Sequence, residues 1–160
     1  MRCPQHSKSR RSGAAAAELA VFLPVLAFLI LGCLDFGRFA YTYIALTNSA
    51  RSGAFYGVMN PYKSSTEATW LTNIQSYARQ QMNLSPDPNL TIDTSTLTKS
   101  TAGNGDTIYS NSDIIVTIEK ATGERRVSVT AHYTFKTLIS YPGMPSSVSM
   151  QRQVVMRSIR

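Results

Sequence analysis

The sequence predicts an α+β protein carried on one N-terminal transmembrane helix, and three features lead there. From Ala14 to Leu34 the residues are almost wholly apolar, with Glu18 as the one charged side chain. Apolar residues then recur at three- and four-residue spacing, first up to Ala54 and again after Asn60-Pro61, which is helical periodicity. The remainder alternates apolar and polar residues between turn signals such as Asn104-Gly105 and Thr122-Gly123, the pattern of a small antiparallel sheet. A length of 160 residues with 43% apolar content suffices for one modest domain beside one span.

Residues 1–13 form a basic leader. Four of the sixteen basic residues, Arg2, Lys8, Arg10 and Arg11, lie there with no acid among them. By the positive-inside rule this leader stays cytoplasmic, and everything after Asp35 is placed outside the cytoplasm. Much of the +7 net charge therefore belongs to a tail and not to a folded face, so no nucleic-acid partner is expected. The two cysteines, Cys3 and Cys33, fall in the leader and the apolar run, which leaves no disulfide framework and no cysteine zinc site.

Residues 14–34 are expected to cross a lipid bilayer, since about 20 helical residues cover roughly 30 Å. Pro24 removes a helical hydrogen bond inside this span, which membrane helices tolerate, and a kink is expected there. Glu18 needs a reason, because a carboxylate in an apolar segment costs about 2.5 kcal/mol or more unless paired or interfacial. Ala14 stands four residues upstream. A cut between Gly13 and Ala14 would create an α-amino group one helical turn from that carboxylate, on the same face. The simpler alternative is an interfacial Glu18 that reaches back to water. Ile30-Leu31-Gly32-Cys33 also resembles a lipobox, which would make Cys33 a lipidated N-terminus; Glu18 and the unbroken helical pattern through Cys33 argue against it.

Residues 35–57 read as an extracytoplasmic extension of the same helix. Phe36, Phe39, Ala40, Tyr43, Leu46, Thr47, Ala50, Gly53 and Ala54 make its apolar stripe, with Arg38, Thr42, Asn48, Ser49, Arg51 and Ser52 on the other face. Asp35 and Arg38 are spaced to pair across one turn, Gly37 lies between them, and Tyr41 and Tyr43 suit the headgroup boundary. Packing on the chain's own domain is the first expectation for the stripe. Its small residues, Ala40, Ala45, Ala50, Gly53 and Ala54, would equally allow close helix approach in an assembly.

Residues 58–160 form the α+β domain. Ser64 and Glu67 have capping-box spacing ahead of a second helix with the stripe Trp70, Leu71, Ile74, Tyr77, Ala78 and Met82. Strand alternation appears at Leu90–Thr94, at Ile114, Val116 and Ile118, along Val127–Phe135, and at Val148, Met150, Val154 and Met156. The Ser-, Thr- and Asn-rich stretch from Lys99 to Asn111 reads as a flexible hairpin loop, and Asp106 and Asp113 lack the spacing of a calcium loop.

Catalytic chemistry needs convergent acids, bases or nucleophiles, and the chain offers two histidines, His6 in the leader and His132 on the polar side of a strand. The carboxylates Asp87, Asp93, Asp113, Glu119 and Glu124 are scattered, and no nucleophile elbow, zincin motif or phosphate loop is present. A non-enzyme without cofactor or metal is expected.

The order Arg10-Arg11-Ser12-Gly13, Ala14 to Ala17, then Glu18 before the apolar run resembles the processing site of type IV prepilins. Its continuation sharpens the likeness. Glu18-Leu19-Ala20 with Leu23-Pro24, Leu34-Asp35-Phe36-Gly37-Arg38, and Ala45-Leu46-Thr47-Asn48-Ser49-Ala50-Arg51-Ser52-Gly53-Ala54 resemble the TadE-like pseudopilins of tight-adherence (Flp) pilus loci. The likeness is dense over 10–57 and returns weakly in Val127–Leu138 and Ser147–Arg157; Leu19 departs from the phenylalanine usual in the family. It implies a pilin-like fold, cleavage by a prepilin peptidase between Gly13 and Ala14, and pairing of Glu18 with an α-amino group. Implied too is a single pass through the bacterial inner membrane with the C-terminal domain periplasmic, and partnership with pilins, other pseudopilins and inner-membrane pilus-assembly proteins. The competing expectation is an unprocessed single-span anchor that presents an adhesive or binding domain.

Overall fold

A computed structural model of the chain describes residues 10–60, 62–82, 97–121, 124–138, 143 and 145–157. The leader up to residue 9, the strand expected at Leu90–Thr94, and the turn residues Thr122, Gly123, Tyr141 and Pro142 lie outside them. The protein is α+β. Helix α1 spans Arg10–Met59 and helix α2 spans Glu67–Met82. Five strands follow: β1 (Thr98–Thr101), β2 (Thr107–Ser110), β3 (Ile114–Ala121), β4 (Glu124–Lys136) and β5 (Ser147–Arg157). The chain divides into two compact units, Met1–Gly37 and Arg38–Arg160.

In the first unit α1 stays helical on both sides of Pro24 and straight through Cys33. Its apolar side chains are exposed; Phe22 retains 68% of its accessible surface. A helix apolar on all sides with nothing covering it is suited to lipid and not to water, and this one is long and apolar enough to cross a membrane.

In the second unit the strands form one antiparallel sheet in chain order, β1-β2-β3-β4-β5. Register places Tyr109 opposite Val116, Val116 opposite Val129, and Val129 opposite Val154, so one row of side chains crosses four strands on one face. That face builds the core. Tyr109, Val116, Val127, Val129 and Phe135 are buried with Leu46 and Ala50 of α1 and Ile74 and Ala78 of α2. Each large aliphatic side chain so enclosed contributes roughly 1.5–3 kcal/mol. On the reverse face, Gln153 Nε2 donates to Ser128 Oγ across β4 and β5 at 2.7 Å.

The stretch expected to be a flexible loop is instead the β1–β2 hairpin, paired from Thr98↔Ser110 to Thr101↔Thr107. Apolar alternation could not disclose it because β1 is Thr-Lys-Ser-Thr and fully exposed. Its order comes from the turn: Ala102 and Asp106 bond through N–H to carbonyl at 2.9 Å, and Gly105 takes φ +87°, open to glycine at little cost. The capping box is also not formed. A 3₁₀ turn at Ser64–Thr66 precedes α2, Lys63 occupies the cap position without a side-chain bond, and Glu67 turns its carboxylate elsewhere.

Within this unit α1 and β4 run antiparallel. Gly57 faces Val127, Gly53 faces Val129, and the Phe39 ring meets Phe135 edge-on at 5.5 Å. Eighteen helical residues and eight strand residues both advance about 26 Å, which is why the two elements stay in step.

Candidate functional site

Gly13, Ala14, Glu18 and Pro24 all lie on α1 within the first unit, and their side chains are exposed. Ala14 and Glu18, four residues apart on a continuous helix, occupy the same face about 6 Å of rise apart. Nearer the end of the unit Asp35 is buried to 6% exposure, whereas Phe36 and Gly37 are exposed.

The extension of α1 in the second unit shows what its small residues do. Thr42, Ala45, Leu46, Ser49, Ala50, Gly53, Ala54 and Gly57 are buried, every third or fourth position in turn. A Cβ on Gly53 would stand 3.3 Å from Ile74 and 3.4 Å from Val129, and one on Gly57 only 2.9 Å from Val127 Cγ1. Ala50 and Gly53 therefore pack the helix on its own sheet and on α2. Thr42 and Ser49, expected on the polar face, are fully enclosed, and the Oγ atoms of both have no hydrogen-bond partner among the described residues. The buried arc is centred one position away from the expected stripe, because close backbone approach admits short hydroxyl side chains wherever the sheet lies nearest. Arg51 is exposed, on the side that also carries Tyr41, Ile44, Phe55 and Met59.

Basic side chains cover aromatic rings at the Phe135 end of the sheet. The Arg38 guanidinium lies 5.5 Å above the Phe135 ring and the Arg152 guanidinium 4.3 Å above Tyr43, which is half-buried and also stacks on Phe39. Tyr43 is thus a packing residue, and Tyr41 is the exposed tyrosine of the expected pair. His132 lies on the reverse face as alternation places it, but half-buried, with Nε2 enclosed and without a hydrogen-bond partner among the described residues.

A polar cluster that sequence reasoning missed joins α2 to the sheet. Tyr62 Oη donates to Glu67 Oε2 at 2.5 Å, and Lys99 Nζ stands 3.1 Å from both carboxylate oxygens. The Tyr62 and Tyr109 hydroxyls are 3.4 Å apart. Trp70 meets Tyr62 edge-on and donates Nε1–H to the Asn60 carbonyl at 2.7 Å. The Tyr62 hydroxyl, aided by Lys99, holds the Glu67 carboxyl below its ordinary range against an opposing effect of burial. Tyr62 is pushed well above the usual phenol range, chiefly because its hydroxyl donates a hydrogen bond to Glu67, and burial raises Tyr109. The cluster borders a cavity of about 750 Å³ flanked by Leu71, Gln75, Arg79 and Leu97. Its charges are mutually satisfied, so it serves to fix α2 on β1 and β2. Among the described residues no three His, Cys, Asp or Glu side chains come together as a metal site would require.

The family comparison falls on one of these regions. Residues 13–54 match the TadE-like protein family. This is the family that the sequence resembles, and the match begins at Gly13 and ends at Ala54, within α1. The matched stretch thus takes in Gly13, Glu18, the apolar span and the first half-dozen turns of the extension, and the family points to a protein associated with the tight-adherence pilus. Neither the curated proteins nor the solved structures gave a match to the chain.

Proposed function

We propose that this chain is a pseudopilin of a tight-adherence pilus system, anchored in the bacterial inner membrane by residues 14–34, cut between Gly13 and Ala14, and acting through assembly. One coincidence carries the reading. The TadE-like match opens on Gly13, and Glu18 stands five residues on, at the head of an apolar helix whose side chains nothing else in its unit covers. A prepilin peptidase would release the basic leader and expose the Ala14 α-amino group. The Glu18 carboxylate then has a cation for which to leave water, its own or a neighbour's, and that pairing sets the register of adjoining helices in the membrane. Basic residues before Gly13 hold the N-terminus in the cytoplasm and the sheet domain in the periplasm.

The small residues of α1 beyond the span support an assembly role less than the sequence suggested, since they pack within the domain. The opposite side of that helix, with Tyr41, Ile44, Phe55 and Met59 exposed, is the surface offered to pilins, other pseudopilins or inner-membrane assembly proteins. The test is Glu18→Gln in the full chain. Membrane insertion should persist, because the substitution removes a charge from an apolar segment, while co-purification with pilus components should be lost. Co-purification at the parental level would remove Glu18 from the mechanism.

A further inference from the structure

The second unit begins at Arg38, four residues after Leu34 ends the apolar span, so the chain enters the unit at one identifiable end. The antiparallel course of α1 and β4 fixes what else lies at that end. Going from Val127 to Phe135, β4 follows α1 back from Gly57 to Phe39. The hairpin of β4 and β5 continues beyond Phe135: Lys136 pairs with Ser147, and Thr137 N–H donates to the Ser146 carbonyl at 3.1 Å. Past Phe135 the chain advances about 10 Å to Leu138. There the hairpin shows apolar side chains to solvent, Leu138 at 63% and Val148 at 38% exposure, and the Lys136 side chain is exposed on the reverse face from Val148. Tyr41, 47% exposed on α1, and Arg38, laid over Phe135, occupy the same end. Exposed Leu, Val and Tyr with Lys and Arg is the composition that a bilayer interface takes up: apolar groups at the acyl boundary, tyrosine at the headgroups, cations at the lipid phosphates.

We propose that this end of the β4–β5 hairpin, through Leu138, Val148 and Lys136, rests in the anionic headgroup layer of the bilayer that α1 crosses, giving the domain a second membrane contact beside its helix. The proposal rests on the membrane-anchored reading above. The far end of the sheet does not share the contact: Thr107 pairs with Ile118 and Ile118 with Val127, so the β1–β2 turn lies at the Val127 level.

The test uses the full chain with Cys3→Ser, reconstituted in phosphatidylethanolamine–phosphatidylglycerol vesicles that contain brominated lipid. A fluorophore is placed in turn on the native Cys33, on Leu138→Cys and on Gly103→Cys, the last two with Cys33→Ala. Quenching should be strong at 33, severalfold greater at 138 than at 103, and reduced at 138 by Lys136→Glu. Strong quenching at 33 with no difference between 138 and 103 overturns the hairpin contact and leaves the anchor intact. Quenching at 138 that ignores Lys136→Glu contradicts contact with anionic headgroups. Absence of quenching at 33 removes the anchored reading, and this proposal with it.

Discussion

The backbone of Gly57 lies so near Val127 that a Cβ there would stand 2.9 Å from Val127 Cγ1, with Ile74 at 3.3 Å and Trp70 at 3.4 Å behind it. Alanine in a helix interior ordinarily gains about 0.8–1 kcal/mol over glycine, and overpacking a core costs about 1–3 kcal/mol. The branched Val127 has no flexible end to withdraw, so the second effect wins. Gly57→Ala should destabilise the domain by about 1–2 kcal/mol. At Gly53, where the closest contact is 3.3 Å, the two effects nearly cancel and Gly53→Ala should change stability by less than about 0.5 kcal/mol. Thermal or denaturant unfolding of the full chain in detergent compares them.

Ser49 and Thr42 give the opposite sign. Both hydroxyls are enclosed and have no partner among the described residues, so each bears a desolvation cost of about 1–3 kcal/mol. Ser49→Ala and Thr42→Val keep most of the volume and discard the polar atom. Each should raise stability by about 1 kcal/mol, read in the same unfolding assay; a loss of that size would mean that the hydroxyls have partners.

Glu67 predicts a pH dependence. Its carboxyl is held below the ordinary value of 4.5, first by the Tyr62 hydroxyl and further by Lys99. A depressed carboxyl contributes stability that is fully present above the unfolded value and is lost as pH falls through the folded one. Glu67→Gln should therefore flatten the stability profile as pH falls below the ordinary carboxyl value and converge with the parent once the carboxyl is protonated in the folded state as well. At the alkaline side the sign reverses. Tyr62 is raised above its ordinary 10.0, so its contribution is full below that value and is lost as pH climbs through the folded one, and Tyr62→Phe should remove that loss. Unfolding midpoints across the pH range, parent against the two variants, measure both.

The elements with an apolar code were legible from residues alone. The uncharged run before Leu34 states a helix apolar on every side, while the period of Trp70, Leu71, Ile74, Ala78 and Met82 and the alternation in Val127–Phe135 each state which face is buried. β1 and β2 were not legible, because Thr98–Thr101 carries no apolar residue and is ordered by a turn and by pairing to a neighbour, which is tertiary information. The arc of α1 was misjudged for a related reason. Thr42 and Ser49 are polar by type but short, and length decides burial where a helix lies this close to a sheet. The Glu67 cluster was hidden by a spacing coincidence: Ser64 and Glu67 fit a capping box, and only the fold brings Lys99 from 32 residues away. Gly13, Ala14 and Glu18 stood out because the role proposed for them rests on their order in the sequence, at the head of an apolar span.

The intact mass and N-terminal sequence of the membrane-extracted chain, produced with and without its prepilin peptidase, test the central claim most directly. The account predicts a chain that begins at Ala14 when the peptidase is present and at Met1 when it is absent. A chain that begins at Met1 under both conditions contradicts it and leaves a single-span anchor with an unprocessed leader; a lipid-modified start at Cys33 contradicts it as well and takes Glu18 out of the mature protein.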